Sequence, residues 1–144
     1  MSYDLRVRFP VDDEELSRLH AEAFDHGYTP VPWAERLQRH SRSWAGEFRQ
    51  GRLVGFVHAV WDGGGHAFLL DTAVALDMRR QGVGGRVVRA LVQDLEELGI
   101  EWVHVDYEPH LGRFYRQACG FGPTQAGLLR LDQVGTERDT DCDG

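Results

Sequence analysis

The residues best suited to chemistry follow an apolar run and open a helix. After residues 67–76 the chain continues through Arg79-Arg80-Gln81-Gly82-Val83-Gly84-Gly85-Arg86. Glycines at a helix start let a ligand approach the backbone closely, and the free N–H groups of the first turn attract an anion. The arginines add positive charge. The segment therefore indicates a helix N-terminus that holds a diphosphate, although a glycine turn without a ligand shares the same pattern.

The elements that position this segment alternate between strands and helices. Apolar residues recur at every second position in some segments and at every third or fourth in others. Antiparallel hairpins come first, and a later strand–helix–strand crossover requires a parallel pair. We therefore predict an α/β fold with a mixed (α+β) sheet. The predicted strands are 5–9, 44–49, 53–61, 67–76, 102–106 and 128–131. Four helices are predicted. The first is capped by Asp12 or Asp13 and has Leu16, Leu19, Ala23 and Phe24 inward, and the second spans 33–40 with Trp33 and Leu37 inward. The third spans 84–98, and the fourth is short and runs through Leu111, Phe114, Tyr115 and Ala118.

Charge and composition exclude several function classes. The 144 residues carry 23 acidic and 16 basic side chains, for a net charge of −7. Such an acidic chain is unsuited to general nucleic-acid binding, which needs a basic surface. Every base is arginine, so a phosphate-binding P-loop and Schiff-base chemistry are excluded, because both require lysine. The turn also lacks dinucleotide-binding spacing, since Val87 stands where a third glycine is required.

Length and composition also predict the domain organisation and the location of the protein. We expect one domain over residues 1–134 and an acidic, disordered tail over 135–144. No apolar run is long enough for a membrane span. Cys119 and Cys142 are too few for a disulfide framework, which favours a cytoplasmic location. The histidines are scattered and no metal-ligand spacing is present, so no metal is expected.

Several motifs together resemble one known family. Arg79, Gly82 and Gly84 match the R-x-x-G-x-G signature of the GNAT superfamily of acetyl-CoA-dependent N-acetyltransferases. Val74 stands where that family has a strand valine. The pairs Phe114-Tyr115 and Gly120-Phe121 resemble its C-terminal helix and the turn after it. The order of elements from Asp4 to about Leu131 is similar as well.

The resemblance implies a binding mode for acetyl-CoA. The co-substrate would lie where the strand at 67–76 parts from the strand at 102–106. The backbone of Thr72, Ala73 and Val74 would pair with the pantetheine arm. The segment from Arg79 through Arg80, Gln81, Gly82, Val83 and Gly84 to Gly85 would hold the pyrophosphate. A primary amine on a small molecule or peptide would attack the thioester directly, and the family resemblance also allows a homodimer.

Tyr115 is the residue that the resemblance places beside the leaving thiolate. A thiol has a pKa near ~8.5 and a tyrosine near ~10, so full proton transfer to the thiolate is uphill by ~2 kcal/mol when neither is shifted. We therefore expect Tyr115 to donate a hydrogen bond, with proton transfer only if the site lowers its pKa. The alternative is a core tyrosine, because Tyr115 shares an apolar stripe with Leu111 and Ala118.

The acceptor amine needs a base, and several residues are candidates. Asp71 is notable as an acid inside an apolar strand, where burial should raise its pKa. The alternative is a structural hydrogen-bond acceptor. The other candidates are His66, His104, Asp106 and Glu108. Further acids that could attract a cationic amine are Glu22, Asp25 and Asp62.

One departure from the family keeps a second function open. Glu108 stands seven residues before Tyr115, where many members have an asparagine that contacts the cofactor. A carboxylate has no N–H to donate. The alternative function is therefore a non-catalytic acyl-CoA-binding or regulatory module on the same fold.

Overall fold

A five-stranded mixed sheet forms the centre of the computed structural model, which describes residues 2–133. Neighbouring strands are antiparallel except for the last two, which are parallel. This arrangement confirms the predicted fold class. The domain end at 134 and the predicted tail lie outside the described residues. In sheet order the strands are β1 (Asp4–Val7), β2 (Ser41–Arg49), β3 (Arg52–Trp61), β4 (His66–Val74) and β5 (Trp102–His104).

Three helices flank this sheet: α1 (Asp13–Ala23), α2 (Trp33–His40) and α3 (Val83–Glu97). The Asp12 side chain caps α1 by accepting the N–H of Glu15 at 2.9 Å. Because α1 ends at Ala23, Phe24 leaves its apolar face and is 48% exposed, which corrects the inward position predicted for it.

Adjacent residues of β3 show that the helices cover opposite faces of the sheet. Gly55 faces α3 so closely that a Cβ added there would clash with a methyl group of Val83. Phe56 points the other way and packs edge-on against Trp33 of α2, with 6.0 Å between ring centroids. Successive strand residues alternate between faces. Two apolar layers therefore sandwich β3, the middle strand of the sheet.

The C-terminal part differs most from the prediction. A 3₁₀ turn at Pro109–Leu111 leads into helical turns that end in a π-helical turn at Phe114–Ala118. The strand predicted at Leu128–Leu131 is wrong, since that segment pairs with no strand within residues 2–133 and Leu128 is 87% exposed. Only three residues of β5 pair with β4, and so short an edge offers little ladder for a sixth strand.

None of the helices within residues 2–133 has the length and apolar character needed to cross a membrane.

Candidate active site

The sheet opens where β4 and β5 part. The two strands pair only at His66–Trp102, Ala67–Val103 and Phe68–His104. Beyond Phe68, β4 runs on to Val74 with no described strand along that edge. Backbone N–H and C=O groups on an open edge are available to an extended ligand that carries amides.

A β-bulge lies at this opening and aims two neighbouring side chains in different directions. On β3, Phe56 pairs with Ala73 and His58 with Leu70, so β4 carries one extra residue over that stretch. Asp71 adopts a left-handed backbone with φ +59°. Its carboxylate reaches β3 and α1, whereas the next residue, Thr72, reaches the C-terminal π-helical turn.

Tyr115 is the group from the π-helical turn that meets the bulge. Its hydroxyl donates to Oγ1 of Thr72 at 3.3 Å, and its ring stacks on Tyr107 with 4.9 Å between centroids. Burial raises the pKa of Tyr115 above its ordinary value. Proton transfer from this hydroxyl to a thiolate is therefore less favourable than for a free tyrosine, while donation of a hydrogen bond remains available.

Asp71 is held as a carboxylate by two histidines. Its Oδ2 lies 2.6 Å from Nε2 of His58, and its Oδ1 lies 2.9 Å from Nε2 of His20. Burial by itself raises the pKa of Asp71, but the hydrogen bonds from His20 and His58 outweigh it and hold the pKa well below the usual range. The raised pKa expected from the sequence is wrong, because the sequence did not show these two partners.

The hydrogen bonds continue outward from both histidines. Nδ1 of the buried His58 lies 2.8 Å from the Ser41 hydroxyl. Nδ1 of His20 lies 2.8 Å from Nε2 of the exposed His26, whose Nδ1 lies 2.9 Å from the Gly27 carbonyl. Sequence reasoning missed His20, His26 and Ser41. They come from α1, the following loop and β2, so no local spacing connects them.

The N-terminus of α3 presents the predicted free donors. Gly82 precedes the helix with φ +80° and no side chain caps the first turn. The N–H groups of Val83, Gly84 and Gly85 accordingly have no acceptor inside the helix. A Cβ on Gly84 would lie 3.3 Å from the Phe114 ring, so this glycine lets the helix pack closely on the π-helical turn.

The comparison with family models decides the classification. The model of the Acetyltransferase (GNAT) family matches residues 11–121, more than half of the chain. The chain belongs to the GNAT family. No curated protein matches the sequence.

Solved structures share the GNAT fold at low sequence identity. An acetyltransferase from Trypanosoma brucei is 20% identical with a TM-score of 0.75, over 90% of this chain and 99% of that one. An aminoglycoside acetyltransferase from an uncultured soil metagenomic sample, in complex with sisomicin, is 20% identical with a TM-score of 0.72, over 89% and 94%. An aminoglycoside N-acetyltransferase in complex with CoA is 19% identical with a TM-score of 0.71, over 90% and 93%.

The arginines around the GNAT signature mostly hold protein atoms. Arg86 pairs with the fully buried Glu47 at 2.6 Å and donates to the Gln81 carbonyl at 2.8 Å. Arg89 donates to a backbone carbonyl of the π-helical turn, and Arg79 to one at the end of α1. Among these described contacts the charge of Arg86 is paired with a carboxylate, whereas Arg79 and Arg89 contact neutral carbonyls and Arg80 is exposed.

The remaining acids and histidines predicted to serve this GNAT site lie elsewhere or are already engaged. His66 and His104 contact each other at 2.7 Å across the paired ends of β4 and β5. The Glu22 carboxylate accepts the N–H of Leu76 at 2.7 Å, and Asp62 accepts that of Gly64 at 2.7 Å in its hairpin. Asp106, Glu108 and Asp25 have no described side-chain bond to Asp71 or Tyr115. Within residues 2–133 no three His, Cys, Asp or Glu side chains are grouped to hold a metal ion.

Proposed function

We propose that this GNAT protein transfers the acetyl group of acetyl-CoA to a primary amine on a small molecule or peptide. One observation carries the proposal: β4 parts from β5 after Phe68, just before the bulge that aims Asp71 and Thr72, and the uncapped start of α3 comes after one short turn. The opening thus combines a free strand edge, an anion-attracting helix end, and the Asp71 carboxylate and Tyr115 hydroxyl, which are suited to acid–base chemistry.

The residues at this opening fit acetyl-CoA. Backbone groups of Thr72, Ala73 and Val74 would pair with the amides of the pantetheine arm. The N–H groups of Val83, Gly84 and Gly85, together with the segment Arg79, Arg80, Gln81 and Gly82, would hold the pyrophosphate. Arg86 supports this segment by fixing the Gln81 carbonyl. Each hydrogen bond to a charged phosphate oxygen contributes about 1.5–3 kcal/mol.

Tyr115 would act on the departing sulfur. The amine nitrogen attacks the thioester carbonyl carbon, a backbone N–H near Val74 stabilises the oxyanion, and the carbon–sulfur bond then breaks. The raised pKa of Tyr115 keeps its hydroxyl protonated. It would therefore shift its hydrogen bond from Thr72 to the developing thiolate, and the proton that the attacking nitrogen loses would reach the sulfur through water.

Asp71 would serve the amine. An alkylammonium of pKa ~10.4 must lose a proton before it attacks, at a cost of ~4.6 kcal/mol at pH 7. The ionised Asp71 carboxylate would attract such a cation and accept its hydrogen bond. Support comes from similar structures that are named aminoglycoside acetyltransferases, one of them in complex with sisomicin.

Release of CoA from acetyl-CoA in the presence of a panel of primary amines tests the proposal. We expect release that depends on at least one amine and scales with its concentration. Binding of acetyl-CoA with no amine-dependent release would instead support the non-catalytic acyl-CoA-binding module, for which Glu108 in place of the usual asparagine is the motivating feature.

A further inference from the structure

The hydrogen bonds that run from Asp71 toward solvent need one proton more than two neutral imidazoles carry. Three contacts lie in series: Asp71 to His20 at 2.9 Å, His20 to His26 at 2.8 Å, and His26 to the Gly27 carbonyl at 2.9 Å. A carboxylate and a carbonyl only accept hydrogen bonds. Each contact at such a distance needs one proton, and two neutral rings supply two. One contact therefore lacks its proton until the pair becomes singly charged.

The other side of the same carboxylate has no such deficit. His58 can donate from Nε2 to Asp71 and accept the Ser41 hydroxyl proton at Nδ1, at 2.6 Å and 2.8 Å. Neutral His58 and Ser41 thus satisfy both contacts. His58 is 3% exposed, so it is also cut off from solvent. The vacancy for a proton is confined to the branch through His20 and His26.

We propose that His20 and His26 form a proton relay that carries the proton of the acceptor amine from Asp71 to solvent. The inference deepens the proposed acetyl transfer and rests on it. One end of the relay meets the bulge beside Thr72, and the other end is the exposed ring of His26. Phe24 and Trp33 pack on His20 with centroid distances of 4.5 and 5.4 Å, so apolar rings hold it in line.

The proton balance of one turnover follows from these contacts. The substrate ammonium, hydrogen-bonded to Asp71, passes one proton across that carboxylate to the vacant Nε2 of His20, which leaves the two rings with three protons. The freed amine attacks the thioester, the carbon–sulfur bond breaks, and the second proton that the nitrogen loses reaches the CoA thiolate through water. His26 then gives one proton to water, which returns the pair to two. Asp71 is ionised before and after this transfer, in accord with its lowered pKa, and it also orients His20 and attracts the ammonium.

Nuclear magnetic resonance of ¹⁵N-labelled histidine rings tests the proton count without any substrate. The charged or titratable groups facing the pair are Asp71 of β4 and, through that carboxylate, His58 of β3. We expect His20 and His26 to take up one proton jointly while His58 stays neutral with its proton on Nε2. Independent protonation of the two rings, or protonation of His58, would overturn the proposal.

Replacement of the outer ring tests the role in turnover. His26→Gln keeps a polar side chain but cannot pass a proton. We expect kcat on the best amine to fall at least about tenfold, less than the ~10²–10⁴-fold of a full acid–base contribution, because Asp71 and His20 remain. The KM for acetyl-CoA should stay within about twofold, because the cofactor groups lie elsewhere. Added imidazole should restore part of the rate. His40→Gln, at the exposed end of α2, is the matched control and should retain full activity.

The outcomes separate this inference from the proposed function. Normal turnover by His26→Gln, or a loss that imidazole does not restore, would overturn the relay and leave acetyl transfer standing. Absence of amine-dependent turnover in the unmodified protein would overturn both. Joint uptake of one proton, combined with a loss that imidazole rescues, would support the relay.

Discussion

The hydroxyl of Tyr115 donates a hydrogen bond to Thr72 at 3.3 Å, and Thr72 is the residue next to Asp71 in the β4 bulge. Tyr115, the group suited to the leaving sulfur, thus contacts the strand position next to Asp71, the group suited to the incoming amine. Asp71 has a left-handed backbone at this bulge, and its carboxylate reaches β3 and α1 while Thr72 reaches the π-helical turn.

Tyr115→Phe separates a role in the reaction from a role in packing. The ring and its contacts remain, so loss of the hydroxyl should cost about 1 kcal/mol of unfolding free energy. If the hydroxyl supports the thiolate, kcat should fall about 10²–10⁴-fold with little change in KM for acetyl-CoA. Tyr107→Phe is the matched control, since that hydroxyl accepts from Arg116 and should be dispensable. A Tyr115→Phe enzyme with unaltered kcat would remove the hydroxyl from the mechanism.

Asp71→Asn tests whether the charge at the bulge is required. Asparagine keeps the size of the side chain but neither attracts an ammonium nor orients two imidazoles as a carboxylate does. We expect kcat to fall about 10²-fold or more, while acetyl-CoA still raises the melting temperature. Steady-state kinetics with a thermal-shift assay measures both. Full activity of the variant would show that the carboxylate is only structural.

The lowered pKa of Asp71 also predicts a pH dependence of stability. A carboxyl whose pKa is lower in the folded than in the unfolded state stabilises the fold above its unfolded pKa of ~3.9. That contribution is lost as pH falls from about 5 toward the folded value. Denaturant unfolding at a series of pH values should show a steeper loss for the native sequence than for Asp71→Asn. Parallel curves would indicate that His20 and His58 do not stabilise the carboxylate.

Glu47→Gln tests the buried ion pair beneath the GNAT signature. Glu47 is fully buried and holds Arg86, whose side chain is 12% exposed and also binds the Gln81 carbonyl. The substitution removes the negative charge beside the largely buried Arg86 guanidinium. This change should lower the free energy of unfolding by about 3 kcal/mol. Affinity for CoA should weaken as the segment loosens.

Glu35→Gln provides the matched control for this prediction. Its exposed pair with Arg39 spans 3.1 Å within α2 and should contribute less than about 1 kcal/mol. Chemical denaturation measures both variants. Equal stability of Glu47→Gln and Glu35→Gln would contradict the proposed importance of the buried pair.

Local patterns in the sequence predicted most of the fold. Periodicity located α3 and the strands of the antiparallel hairpins, because this signal depends on neighbouring residues. The strand predicted at Leu128–Leu131 failed because a strand requires a partner edge, and β5 offers only three paired residues. An alternation of apolar residues does not indicate whether a partner strand is available.

The site was predicted unevenly for a related reason. The glycine-rich start of α3 is contiguous, so an anion site could be proposed there from the sequence. The partners of Asp71 come from α1 and β3, and the bulge that turns Asp71 toward them leaves no local mark. Burial was therefore expected to raise the pKa of Asp71, whereas the contacts with His20 and His58 lower it.

The most direct measurement of the central claim is a map of backbone amide chemical shifts on titration with CoA. We expect the largest changes at Thr72, Ala73 and Val74 on the open edge of β4 and at Val83, Gly84 and Gly85 at the start of α3. Pantetheine lacks the diphosphate, so it should change the chemical shifts of the β4 residues only. Shifts confined to another surface, or none at saturating CoA, would contradict the account.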